Sequence, residues 1–267
     1  MLSKQNLIDF LEFSTKLVKE AGKILLKEQK KVRIVKYKDR KDIVTSTDLA
    51  SEKFVINEIT RNFPDHSILS EEKGEINKLS DFRWIIDPLD GTKEYIRGIP
   101  LWNFSMALEY KNELLVSVVY RPFEESLFSA AKGTGSFLNG KSIKVSSIQK
   151  LEDSFIFCYL PLYHRNRENY ENAYKRLSEI GKKTYRLRSL SDENTGLCWL
   201  AQGGIEAYVN LSNPPKWHDF APGLFVAQEA GALITDSRGK SLNRNFFNGI
   251  IASNNHRILD RIIDIVS

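Results

Sequence analysis

Trp84-Ile85-Ile86-Asp87-Pro88-Leu89-Asp90-Gly91-Thr92 begins as a buried strand and ends in chemistry. Large apolar residues run into two carboxylates three positions apart, then a glycine turn and a hydroxyl. Unpaired carboxylates are costly to bury, so acids at the end of such a strand usually hold a ligand. Pro88 stiffens the turn, the Leu89 carbonyl can face the same ion, and Gly91 lets the backbone approach a ligand closely. Thr92 opens a short helix, Lys93–Arg97, whose free N–H groups suit a phosphate. Hard oxygen donors without histidine select magnesium or calcium over zinc. Taken alone, Asp-x-x-Asp also reads as a pair that caps a loop.

Around this segment the pattern is mixed. Upstream, residues 4–29 carry Leu7, Ile8, Leu11, Leu17, Val18, Ala21 and Leu25 at helical spacing. Val32, Ile34 and Tyr37 alternate as in a strand, and residues 47–62 read as a second helix ended by Pro64 and Asp65. Residues 67–69 and 84–86 are short strands, and residues 103–138 read as a strand meander with tight turns. After residue 150, strands at 154–160, 183–187, 206–209, 232–235 and 249–252 alternate with helices at 167–180, 191–202, 219–230 and 254–265. This predicts an α+β half over residues 1–150 that carries most of the acids. An α/β half over residues 151–267 closes the site. No Gly-, Pro- or Ser-rich linker divides the two.

The 267 residues are 42% hydrophobic and 27% charged, which supports a sizeable core and excludes a disordered chain. Cys158 and Cys198 are too few for a disulfide framework or a cysteine zinc site. No stretch approaches the ~20 apolar residues of a membrane helix, and the N-terminus lacks a signal-peptide pattern. The expectation is a soluble, cytoplasmic protein. The net charge of +5 suggests nucleic acid until it is localised. Residues 27–41 hold eight cations against two acids, so the rest of the chain is near neutral. That run reads as a solvated helix end and loop, or as a guide for an anionic substrate. With Tyr37 as its one aromatic it gives base stacking little support.

Three further acid features move the reading of the first. Ser70-Glu71-Glu72 follows a strand, Asp42-Ile-Val-Thr45-Ser-Thr47-Asp48 ends on an acid at a helix start, and Trp217-His-Asp219-Phe-Ala-Pro-Gly223 does the same. Singly, Asp48 and Asp219 read as helix caps or dipole partners. Four such acid sites in one chain make independent capping a poor explanation.

In this order, the motifs resemble the inositol monophosphatase family of the lithium-sensitive, magnesium-dependent phosphatase superfamily, from Lys38 to Gly231. The resemblance implies a layered αβαβα sandwich, usually dimeric, that hydrolyses a small soluble phosphate ester with two or three Mg2+ ions. It implies one metal on Glu71, Asp87 and the Leu89 carbonyl, and a second on Asp87, Asp90 and Asp219. A weaker third also uses Glu71. It implies that Thr92, hydrogen-bonded to Asp48, orients the attacking water, with Glu71 in the catalytic set. The Gly91 and Thr92 amides would hold the phosphate, and Asp90 and Asp219 would also border the substrate. Glu72 reads as an outer acid. The physics agrees, because two magnesium ions neutralise the charge of a phosphoryl transition state without any protein nucleophile.

Specificity is where the pattern departs from the inositol enzymes. Asn210 stands where those members carry a glutamate, and Ser191-Asp192-Glu193 replaces their small-residue turn. Asp192 and Glu193 read either as substrate contacts that favour a cation or as a helix cap with first-turn acids. Lys93-Glu94-Tyr95-Ile96 looks like the bisphosphonucleotide phosphatases, which split adenosine 3′,5′-bisphosphate to AMP. Arg97-Gly-Ile-Pro-Leu-Trp102 with Asp192 looks like the histidinol-phosphate phosphatases. Val118-Val-Tyr-Arg-Pro122 and Gly135-Ser-Phe-Leu-Asn-Gly140 look like ordinary inositol monophosphatases. A non-enzymatic, nucleic-acid-associated regulator is the alternative from another class. An intact acid set favours the enzyme with a small phosphorylated substrate.

Overall fold

The computed structural model describes residues 3–39, 42–163, 167–189, 192–211, 216–242 and 248–267. α1 (Lys4–Glu28) leads to a hairpin of β1 (Ile34–Asp39) and β2 (Asp42–Thr45), and then to α2 (Ser46–Asn62). β3 (Ser67–Ser70), β4 (Gly74–Ile76), β5 (Phe82–Asp90) and the short α3 (Thr92–Ile96) follow. A meander comes next: β6 (Asn103–Tyr110), β7 (Glu113–Arg121), β8 (Ser126–Ala131), β9 (Gly135–Leu138) and β10 (Lys141–Ile143). The remaining elements are β11 (Phe155–Tyr159), α4 (Arg167–Lys183), β12 (Arg186–Ser189), α5 (Glu193–Ala201) and β13 (Ala207–Asn210). After them come α6 (Trp217–Glu229), β14 (Leu233–Thr235), β15 (Ile250–Ser253) and α7 (His256–Val266).

The strands form an eight-stranded sheet, ordered β10-β9-β8-β7-β6-β5-β3-β4, and a five-stranded sheet, ordered β12-β11-β13-β15-β14. In the larger sheet only the β3–β5 pair is parallel. Its strands are apolar on both faces because both faces are covered. Trp84, Ile86, Phe104, Met106, Val116 and Val118 meet Leu17, Val18, Leu25, Val55 and Ile59 of α1 and α2. The alternate residues Ile85, Ala107, Val119 and Phe128 meet Leu197, Phe220 and Leu224 of α5 and α6. The other side of that helix pair packs on the smaller sheet, and α4 and α7 cover the far face with Leu177, Ile180, Ile258 and Ile262. The layers therefore run α-β-α-β-α.

The helices predicted from spacing form within a few residues of their expected ends. One strand is displaced. The pattern at 183–187 reads as strand, but α4 continues to Lys183 and β12 begins at Arg186. Lys182 and Lys183 suit the negative end of a helix dipole, and Lys182 pairs with Glu179 one turn back at 2.6 Å. β2, β4 and β10 are short and mixed in polarity, so no apolar run announces them. Ser191, Arg40 and Lys41 lie outside the described residues. Among the described residues no helix is long and apolar enough to cross a membrane.

Candidate active site

The acids gather at the C-terminal end of β5. Asp87 pairs with Ser105 of β6, but Asp90 pairs with Asn103, so β5 carries one extra residue between them. In an unbroken strand, residues three apart point to opposite faces; a one-residue bulge restores a common side. Pro88 stands inside this bulge and has no N–H to give to the ladder. The Asp87 carboxylate accepts the Leu89 N–H at 3.1 Å and tightens the turn. Gly91 then adopts φ 87°, and a Cβ there would lie 2.5 Å from the Leu101 carbonyl oxygen. Glycine is required at this position on both counts.

Asp48 and Asp219 occupy equivalent positions on different helices. Each is the third residue of its helix and returns one carboxylate oxygen to the cap. Asp48 Oδ2 accepts from the Thr45 N–H at 3.0 Å and from the Thr45 hydroxyl. Asp219 Oδ2 accepts from the Lys216 N–H at 2.9 Å. The second oxygen is turned elsewhere. Asp48 Oδ1 lies 3.1 Å from the Thr92 hydroxyl, which is also 3.0 Å from the Leu89 carbonyl. Asp219 Oδ1 lies 3.1 Å from His218 Nε2. Capping and ligand-holding are thus compatible in both residues.

Glu71 sits in the turn between β3 and β4, and a residue the sequence reading missed holds that turn. Glu52 Oε1 of α2 accepts from the Ser70 hydroxyl at 2.5 Å, the Glu72 N–H at 3.1 Å and the Lys73 N–H at 2.8 Å. The available signal was its spacing, since Glu52 follows Asp48 by one helical turn. Asn103 and Asn194 were missed as well. Asn103 Nδ2 donates to Asp90 Oδ2 at 3.1 Å and to Asp192 Oδ1 at 3.3 Å. A polar residue at the start of the apolar strand β6, next to Trp102, was the hint of Asn103.

The acids at the end of β5 raise one another's proton affinity. Asp87 is pushed well above the usual carboxylate range, first by burial and then by the charges of Glu71, Asp90 and Asp219. Asp90 is pushed up by burial and by Asp192, Glu193 and Asp219. Burial raises Asp48 to about 6 against its bonds from Thr45, and the Glu71 charge adds to the rise. Among the described residues, no three of these acids or any His or Cys close into a ligand set by themselves. Their contacts are pairwise. The donor set is nevertheless all hard oxygen, and the main influences on Asp87 include no cation. Such a set fits Mg2+, which binds through one or two carboxylates and keeps several waters. Both cysteines are buried, and burial pushes Cys158 up to about 11, so neither is an activated nucleophile.

The residues in question for specificity are internally engaged. Asp192 caps α5 by accepting the Thr195 N–H, and burial raises it to about 6. Glu193 accepts from Asn210 Nδ2 at 3.0 Å. All three are buried. Arg186 and Arg188 are exposed on the edge strand β12.

A model of the inositol monophosphatase family matches residues 6–267. A protein of Thermotoga maritima named fructose-1,6-bisphosphatase/inositol-1-monophosphatase is 31% identical, over 96% of this chain and 98% of its own. The Nus factor SuhB of Pseudomonas aeruginosa is 30% identical over 86% of each chain. The crystal structure of the extragenic suppressor protein suhB from Bartonella henselae superposes with a TM-score of 0.89 at 27% identity, covering 97% of this chain and 98% of that one. With the five-layer fold, the bulged acid strand and a family model matched from residue 6 to the last, the chain belongs to the inositol monophosphatase family.

Proposed function

We propose that the protein is a magnesium-dependent phosphomonoesterase for small soluble phosphate esters, with inositol phosphates and sugar phosphates among its substrates. The observation that carries this reading is the gathering of acids at the bulged end of β5, where Asp87 and Asp90 lie on a common side and are pushed up by the charges of Glu71, Asp219, Asp192 and Glu193. Glu71, Asp87 and the Leu89 carbonyl would hold one ion, and Asp87, Asp90 and Asp219 a second. Glu71 would also serve a weaker third. When bound, Mg2+ supplies charge neutralisation, activation of water and stabilisation of the leaving oxygen.

The chain's own residues supply position. Asp48 holds the Thr92 hydroxyl proton, which leaves the Thr92 oxygen lone pair to accept from the attacking water and fix its direction. The backbone at Gly91 and Thr92, free of a Cβ on the glycine, receives the phosphate. Asp90 and Asp219 border the leaving group. Asp192 and Glu193 act as cap and as partner of Asn210, so the pocket does not present them as a free anionic site for an amine. This favours broad specificity over a histidinol phosphate preference, and the exposed Arg186 and Arg188 give a second phosphate no enclosed site. We further propose that the protein works as a homodimer in the cytoplasm.

One second reading has a specific observation behind it. A relative named a Nus factor matches this chain, and its basic segment exposes Lys30, Lys31, Arg33 and Lys36. A regulatory role would then rest on that surface and not on the acids. The deciding experiment measures phosphate release, with and without Mg2+, from inositol 1-phosphate, fructose 1,6-bisphosphate, adenosine 3′,5′-bisphosphate and histidinol phosphate. Comparable catalytic efficiency on the first two is expected, since efficiency ratios measure differential transition-state binding. A preference above ~100-fold for either of the others would overturn the substrate class, and no Mg2+-stimulated release at all would favour the regulatory reading.

A further inference from the structure

Asp90 and Asp219 come from different layers, Asp90 from the end of β5 and Asp219 from the first turn of α6. If they share one ion, something must hold them in register. Asn194, the second residue of α5 and fully buried, touches both. Its Nδ2 lies 3.4 Å from Asp90 Oδ2, 3.2 Å from Ser105 Oγ and 2.9 Å from the Asp219 carbonyl oxygen. Its Oδ1 accepts the Gly223 N–H at 2.8 Å. In an uninterrupted helix the Gly223 N–H bonds to the Asp219 carbonyl. Here the side-chain amide of Asn194 bridges those two groups. Pro222, directly before Gly223, has no N–H of its own to give the ladder.

A side chain inserted into the i→i−4 ladder is one of the few physical causes of a local opening in a helix. The two helices approach closely at this contact, since a Cβ on Gly223 would lie 2.8 Å from Asn194 Cα. On the β5 side, Asn103 and Asn194 both donate to Asp90 Oδ2, so both amides engage the same oxygen. We propose that Asn194 is a positioning residue. Its amide, inserted into α6 and donating to Asp90, fixes the Asp90 and Asp219 carboxylates as one divalent-cation site.

This inference rests on the metal-dependent reading above, and the test separates the two. Mg2+ affinity is measured by titration calorimetry on wild type and Asn194→Ala, together with kcat as a function of Mg2+. Loss of a residue that orients metal ligands is expected to weaken Mg2+ binding by about ten-fold or more while kcat at saturating Mg2+ falls much less. Asn194→Ser, which keeps one short donor, should fall between the two, and it replaces the alanine variant if that protein does not fold. Ile262→Val in α7 controls for general loss of stability and should leave Mg2+ affinity unchanged. Equal affinity in wild type and the Asn194 variants overturns the proposal, as does an equal loss in Ile262→Val. A wild type that neither binds Mg2+ nor releases phosphate overturns the reading on which it rests.

Discussion

Asp90 Oδ2 is occupied by the amides of Asn103 and Asn194, so Asp90→Asn keeps the size of the side chain and removes only its charge. Phosphatase activity should fall below detection while the circular dichroism and melting profile stay close to wild type. Turnover near wild type at saturating Mg2+ would remove Asp90 from the metal set. Thr92 is a subtler case. Its hydroxyl is half-buried between Asp48 and the Leu89 carbonyl, with both acceptors in hydrogen-bond reach. Water orientation matters in the transition state and little in the ground state, so Thr92→Ala should lower kcat more than ~10-fold with a smaller change in KM. An unchanged kcat would take Thr92 and Asp48 out of the proposed water relay.

The elements that carry the site are held by hydrogen bonds between layers as much as by their own propensities. α2 is the clearest example. Its first turn presents Asp48, and its second presents Glu52 to the turn at 70–73. Removing a buried acceptor strands three donors, and each stranded group costs ~1–3 kcal/mol before relaxation. Glu52→Ala should therefore lower the melting temperature and raise the Mg2+ concentration needed for half-maximal activity, because Glu71 rides on that turn. Glu52→Gln keeps one acceptor oxygen at the same reach and should recover most of both. If the glutamine variant were as impaired as alanine, charge and not turn geometry would be the contribution of Glu52. At β5 the relevant device is the bulge between Asp87 and Asp90, which sets the direction of two carboxylates by the addition of one residue.

For the whole molecule, the gathered acids work against folding when no cation is bound. Asp48 and Asp192 are raised to about 6, and Asp87, Asp90 and Glu193 are also raised. The folded metal-free protein therefore holds more protons than the unfolded chain between about pH 4 and the folded values. Stability is accordingly lost as pH rises through that window. Mg2+ should reverse this, raising the melting temperature more at pH 7.5 than at pH 5, as binding to the folded state alone requires. A melting temperature of the metal-free protein that climbs steadily from pH 4 to pH 7 would contradict it. The sequence by itself determined much of this protein. Helical spacing gave α1, α2 and α7, alternation gave the meander, and the acids stood out because carboxylates beside apolar runs have few structural uses. Short strands such as β2, β4 and β10 were not legible, because they lack an apolar run and form only against a neighbour. The contacts of Glu52, Asn103 and Asn194 were not legible either. An amide or carboxylate in a helix or strand has no local signature of what it bonds, and Asn194 reaches Asp90 across 104 residues of chain. Whether Asp192 and Glu193 cap or contact substrate was likewise undecided by spacing. Only the packing of α5 between the two sheets buried them, and burial obliges a carboxylate to find its partners inside the protein.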